Sequence, residues 1–140
     1  MGSGLSPVAP GTAGTLAAVP LAWMWSRMPA APHAVLLLLL LPLGAWVCGR
    51  AARGQVDADP SWIVLDEMVG YWFAVAFVPF GWSTWGVGFF LFRLFDILKP
   101  QPAAWIDRNM LSGWGILLDD VFAGIYTRAA LEVLGRLGVV

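Results

Sequence analysis

Cysteine, histidine and charge are all scarce in this chain of 140 residues. Cys48 is the single cysteine, so no intrachain disulfide can form, and its apolar neighbours predict a buried, inert thiol. His33 is the single histidine and is expected at a turn, at the surface or a membrane interface. The eight basic and nine acidic residues leave a net charge of -1 with the cations scattered, which excludes a nucleic-acid partner on electrostatic grounds. No charge precedes Arg27, so the basic n-region of a cleavable signal peptide is missing. The loop-like run Met1 to Pro7 has no element before it, and we expect the natural chain to begin earlier.

Apolar residues are abundant instead. They make up 59% of the chain, mean hydropathy is +0.75 and there are nine tryptophans. Soluble domains hold roughly 45–50% apolar residues, so these values point to a membrane-embedded or membrane-associated protein. The length fits one domain over residues 1–140.

The pattern predicts an all-α bundle of about five helices. A small-residue loop, Gly11 to Thr15, opens a first helix over Leu16 to Trp25, with Thr12 or Thr15 as N-cap or, less often at such a terminus, as an anion-binding turn. After a turn at Arg27 to Pro32 the second helix spans Ala34 to Cys48, bent at Pro42 and Gly44. Gly49 to Pro60 reads as a polar loop or frayed end, and Ser61 as the cap of a third helix. The fourth helix is expected from Thr84 to Lys99, where Pro100 stops it, followed by a short segment from Trp105 to Asn109. Ser112 to Gly115 reads as a flexible loop, and the fifth helix runs from Ile116 to about Leu137.

Six of the nine acids fall between Leu65 and Asp120, amid Trp, Phe, Leu and Val. From Met68 to Phe92 no residue is charged, which a single span would explain only by putting Asp66 and Glu67 on one side of a bilayer and Asp96 on the other. Pro79 to Ser83 offers a break instead. Asp66 lies fifteen residues before Gly81 and Asp96 fifteen after, so a helical hairpin turning there brings the two carboxylates level. The same folding sends Asp107, Arg108, Asp119, Asp120, Arg50 and Arg53 to that end. Arg93, Asp96 and Lys99, spaced by three, are expected on one face.

Carboxylates gathered in apolar surroundings raise one another's pKa and call for a cation. Magnesium, which prefers oxygen ligands and is commonly shared with phosphate, is the natural choice. Arg50, Arg53, Arg93, Lys99 and Arg108 are then available for phosphate oxygens, and the set suits phosphoryl transfer or hydrolysis. The bland alternative is local pairing, Asp96 with Arg93 or Lys99 and Asp107 with Arg108, but Asp66–Glu67 and Asp119–Asp120 show no basic partner nearby in sequence. A cysteine phosphatase is excluded because Gly54, not arginine, stands six residues after Cys48. His33 alone excludes a histidine phosphatase, and there is no P-loop; Asp57-Ala58-Asp59 lies in a polar loop rather than after a strand.

Taken together, the stretches Gly4-Leu5-Ser6-Pro7, Pro10-Gly11-Thr12-Ala13-Gly14-Thr15, Asp66-Glu67-Met68-Val69-Gly70-Tyr71-Trp72, Phe92-Arg93-Leu94-Phe95-Asp96-Ile97-Leu98-Lys99-Pro100, Asp107-Arg108 and Gly113 to Gly124 resemble the phosphatidylglycerophosphatase A family over nearly the whole chain. That resemblance implies a magnesium-dependent bacterial enzyme that converts phosphatidylglycerophosphate to phosphatidylglycerol for membrane lipid synthesis. The side is read separately, since the positive-inside tendency of the end holding Arg50, Arg53 and Lys99 puts the active site on the cytoplasmic side of the bacterial cytoplasmic membrane. The resemblance also implies metal and catalytic roles for Asp66, Glu67, Asp96, Asp119 and Asp120, and phosphate binding by Arg93, Lys99, Arg108 and the turn at Gly11 and Thr12. Gln101 and Ala104 depart from the Trp and Arg often found there. The alternative from another class is a non-enzymatic membrane protein whose acids bind or conduct cations. Oligomeric state stays open.

Overall fold

The computed structural model describes residues 10–53, 65–110 and 112–140, with side chains described from Thr15 onward except at 51 and 52. Six helices account for nearly all of it, α1 over Pro10–Ser26, α2 over Ala30–Arg53, α3 over Leu65–Ala74, α4 over Trp82–Leu98, α5 over Ala103–Asn109 and α6 over Gly113–Arg136. The described residues contain no strand. The expected all-α bundle is therefore present, with the short segment after Pro102 counting as a helix in its own right.

Several boundaries differ from the expectation. Helix α1 begins at Pro10, so Gly11 to Thr15 are its first turns and not a loop. Proline suits that position because its missing N–H would have no partner there in any case. Helix α2 begins at Ala30 and continues to Arg53, absorbing Pro32 and His33 at one end and Gly49 and Arg50 at the other. Helix α6 starts at Gly113, not Ile116, because the glycines that look flexible in sequence are used for packing. A Cβ on Gly113 would lie 2.0 Å from the Ala45 carbonyl oxygen, so only glycine lets α6 approach α2 this closely. The Gly4 to Pro7 motif, Asp57, Asp59 and the Ser61 cap lie outside the described residues.

Helix α3 is the centre of the bundle. Over its described residues Leu65–Ala74, Val69, Gly70, Tyr71, Trp72 and Ala74 are all buried by α1, α2, α4 and α6 around it. Its two polar rings are satisfied internally: the Tyr71 hydroxyl donates to the Trp85 carbonyl at 3.2 Å, and the Trp72 indole N–H donates to the Ala18 carbonyl at 3.0 Å. Tyr71 meets Phe89 and Phe92 edge to face, and Trp72 meets Trp25 in the same way. The hairpin turn between α3 and α4 occurs where proline and glycine predict it, with Gly81 extended as N-cap of α4.

Much of the described exterior is apolar. On α2, Val35, Leu38, Leu39, Leu43 and Trp46 form an exposed stripe, and residues Ala30–Arg50 make a helix long and apolar enough to cross a membrane. Arg50 stacks 5.0 Å from the Trp46 ring at one end of α2, and Arg27 lies 4.3 Å from Trp23 near the other.

Candidate active site

The acids converge where the hairpin argument puts them. Asp66, Glu67, Asp96, Lys99, Asp107, Asp119 and Asp120 line one open cavity of about 260 Å³ at the end shared by the start of α3, the end of α4 and the first turns of α6.

Two glycines allow this convergence. Asp66 precedes Gly70 by four residues and Asp120 precedes Gly124 by four, so on each helix the carboxylate sits one turn above a glycine on the same face. At the crossing, a Cβ on Gly70 would lie 2.6 Å from the Asp120 carbonyl oxygen, and one on Gly124 would lie 2.2 Å from the Gly70 carbonyl oxygen. Backbone meets backbone, and the two acid pairs are held together just above. This repeated spacing of acid and glycine is a signal the sequence carries and the motif reading passes over.

Two cations divide the acids between them. The Arg93 guanidinium donates to Asp96 at 2.8 Å and lies 3.5 Å from Glu67. The Lys99 ammonium donates to Asp119 at 2.6 Å and to Asp107 at 2.8 Å. Glu67 and Asp119 thus have basic partners that are distant in sequence. Lys99 lines the same cavity as Asp96, but it caps α4 in the left-handed region at φ 44° and its ammonium reaches Asp119 of α6 and Asp107 of α5. Arg108 is exposed at the end of α5 and Arg50 is engaged with Trp46, so neither lines the cavity. Gly11 and Thr12 belong to α1, and their side chains lie outside the described residues.

Asp66 and Asp120 are left without a cation among the described contacts. Burial pushes Asp66 up to about 7, with the Glu67 and Asp119 charges adding to the rise and backbone hydrogen bonds opposing it. Burial raises Asp120 well above the usual carboxylate range, reinforced by the Asp66 charge and a hydrogen bond shared with Asp96. Glu67 and Asp119 are raised by burial that outweighs Arg93 and Lys99 respectively. Asp107, at the open rim, is lowered by its hydrogen bond from Lys99. Burial pulls Lys99 down, but its hydrogen bonds to Asp107 and Asp119 prevail and keep it above the ordinary lysine value.

The donor set fits a hard divalent cation. Asp66 Oδ1 and Glu67 Oε2 are buried and have no hydrogen-bond partner, an arrangement that costs free energy unless something positive meets them. All available ligands are oxygen, which magnesium prefers. Among the described residues no three acids stand close enough to form a ready-made ion-binding group, and Arg93 and Lys99 engage one oxygen each of Glu67, Asp96 and Asp119. The unpartnered oxygens of Asp66 and Glu67, with Asp120 beside them, are the ones that would hold the ion.

A helical bundle whose carboxylate cleft carries Lys99 on its lining, with Arg93 paired to two of its acids, has the charges that phosphate chemistry requires. The chain belongs to the phosphatidylglycerophosphatase A family, phosphoric monoester hydrolases, whose family model matches residues 1–134. It is 36% identical over 136 residues to Escherichia coli phosphatidylglycerophosphatase A, covering 96% of this chain and 79% of the relative. It is 38% identical over 127 residues to the Haemophilus influenzae protein of the same name, covering 89% and 78%. It is also 38% identical over 141 residues to a Bacteroides thetaiotaomicron protein provisionally named a phosphatidylinositol-3-phosphatase, covering 94% and 87%. No solved structure matches the chain.

Proposed function

We propose that this protein hydrolyses the terminal phosphate of phosphatidylglycerophosphate, releasing inorganic phosphate and phosphatidylglycerol, with magnesium as cofactor, in bacterial phospholipid biosynthesis. The observation that carries the reading is the buried, partnerless pair Asp66 Oδ1 and Glu67 Oε2 facing a cavity that Lys99 also enters. Magnesium, when bound, would neutralise charge on both the acids and the substrate phosphate. Asp66, Glu67 and Asp120 would hold it.

The chain's own groups account for the rest. Lys99 is fixed by two carboxylates at the cavity rim, so its charge is preorganised for a phosphate oxygen and needs little rearrangement when substrate arrives. Arg93 keeps Glu67 and Asp96 in place and adds positive charge on the α4 side. Asp119, pinned by Lys99, and Asp96, hydrogen-bonded to Asp120, are the acids placed to orient water or take its proton.

The exposed apolar stripe on α2 and the Trp–Arg pairs near its ends support a location in the bacterial cytoplasmic membrane. The cavity would lie at its cytoplasmic face, the side to which Arg50 and Lys99 point by the positive-inside tendency. A cation-conducting protein would need acids at several depths. Here the remaining described acid outside the cavity, Glu132, is exposed and paired with Arg128 and Arg136.

The test is phosphate release from phosphatidylglycerophosphate in detergent micelles, with and without magnesium, alongside phosphatidylinositol 3-phosphate. Release of phosphate and phosphatidylglycerol that depends on magnesium is expected. Turnover of the phosphoinositide alone would move the substrate assignment to that headgroup, and no release from either would refute the enzymatic reading.

A further inference from the structure

Beneath the acidic cavity the bundle has a second depression of different character. It is about 320 Å³, within the range of roughly 300–1,000 Å³ typical of small-ligand sites, and its walls are almost entirely apolar. Leu16 and Val19 of α1 form one side, Tyr71 of α3 the floor, and Trp85, Gly86 and Phe89 of α4 the other.

Its position relative to the acids follows from helical spacing. On α4, Phe89 is one turn before Arg93, and on α3, Tyr71 is one turn after Glu67, so both walls lead up to the Arg93–Glu67 ion pair. From Gly86 to Asp96 is ten residues, about 15 Å along the helix. Travelling down α4, a ligand therefore meets the acids and Lys99 first, then Arg93, then the apolar groove. A phospholipid with a terminal phosphate has the same order: phosphate, polar headgroup, acyl chain.

Gly86 shows that the groove is open space. A Cβ added there would meet nothing within 4 Å, whereas the packing glycines at 70, 113, 115 and 124 would bring it within 3.0 Å of backbone. The wall at Gly86 therefore leaves room for a ligand chain beside Phe89, where close-packed helices elsewhere leave none.

We infer that this groove is the acyl-chain subsite, holding one chain of the phospholipid substrate while its terminal phosphate lies among the acids. The inference rests on the lipid phosphatase reading, and it assigns to Gly86, Phe89, Leu16 and Val19 the recognition of chain length. It also explains why a bundle this small leaves a large aromatic surface open on α4 between Trp82 and Phe90.

Gly86→Phe projects a ring from a groove wall where an added Cβ meets no neighbour within 4 Å. In detergent, the ratio of kcat/KM for a long-chain substrate to that for a short-chain analogue with the same headgroup is expected to fall at least tenfold, with Gly86→Leu falling between. Taking the ratio removes any general loss from imperfect folding. A ratio unchanged in both variants overturns the inference. Binding is read separately, by photo-crosslinking the wild-type protein with a phosphatidylglycerol that carries a diazirine in its acyl chain. Adducts confined to the peptides around Leu16–Val19 and Trp85–Phe89, and displaced by unlabelled lipid, are expected. Adducts spread over all exposed helices would overturn the groove assignment. Confined adducts from a protein that releases no phosphate would refute the enzymatic reading and leave the groove as a lipid site.

Discussion

Replacing Gly70 by alanine tests whether the helix crossing sets the site. The new methyl would lie 2.6 Å from the Asp120 carbonyl oxygen and 2.9 Å from the Phe92 ring, against an ordinary contact beginning at 3.4 Å. Backbone cannot swing aside as a side-chain tip can, so α3 and α6 must part by roughly 0.8 Å. Overpacking of this kind costs about 1–3 kcal/mol. For a chain of this size that lowers Tm by about 4 °C per kcal/mol. The parting also draws Asp66 and Glu67 away from Asp119 and Asp120, and a displacement near 1 Å at a reacting centre lowers rate by about 100-fold. Both effects are expected together in thermal melts and initial rates on purified protein. The control is Gly88→Ala, whose methyl would press at 3.1 Å on the flexible tip of Leu131, far from the acids, and should leave kcat/KM close to wild type. If Gly70→Ala loses stability as expected but keeps kcat/KM within about twofold, the crossing does not position the site and the reasoning fails.

Lys99→Met removes both hydrogen bonds that pin Asp119 and Asp107, so kcat/KM should fall by about 100-fold or more, with Tm lowered as the buried Asp119 loses its partner; unchanged kinetics would return Lys99 to a purely structural role. Asp120→Asn removes a buried carboxyl that is costly to ionise, so the variant should stay folded in chelator while losing turnover by at least about 100-fold, as read by melts and phosphate release. Asp66, Glu67, Asp119 and Asp120 all have folded pKa values above their unfolded ones, so these four groups hold more protons in the folded state above about pH 4 and outnumber His33, whose lowered value works the other way. In chelator, Tm should therefore fall as pH rises from 4 through about 7, and magnesium should flatten that decline; a Tm rising with pH over this window would show the acids to be better compensated than the structure indicates.

The sequence was most informative where spacing alone decides geometry. The equal distances of Asp66 and Asp96 from Gly81 and the break at Pro79 to Gly81 were enough to bring the acids together, because a helical hairpin has one natural alignment. Pairing was less legible. Glu67 finds Arg93 and Asp119 finds Lys99 only once α3, α4 and α6 are packed, and no local rule reveals partners twenty or more residues apart. Glycine misled in one direction, since Gly113 and Gly115 read as a flexible loop by propensity but lie in α6 where backbones meet. Lys99 was legible in part. Its spacing from Asp96 puts both in one cavity, but the left-handed turn at the Pro100 stop, which sends its ammonium to Asp119 and Asp107, is not written in that spacing.

In the proposed reaction the carboxylate cleft holds a divalent cation that promotes release of phosphate from a lipid. The most direct measurement is phosphate release from phosphatidylglycerophosphate by the wild-type protein after chelation, with magnesium then added back in steps, beside calorimetric titration of the same cation into wild type and Asp66→Asn. Activity that vanishes in chelator and returns in parallel with a saturable binding isotherm, weakened in Asp66→Asn, is the expected result. Full turnover in excess chelator, or a binding isotherm identical in the variant, would contradict it.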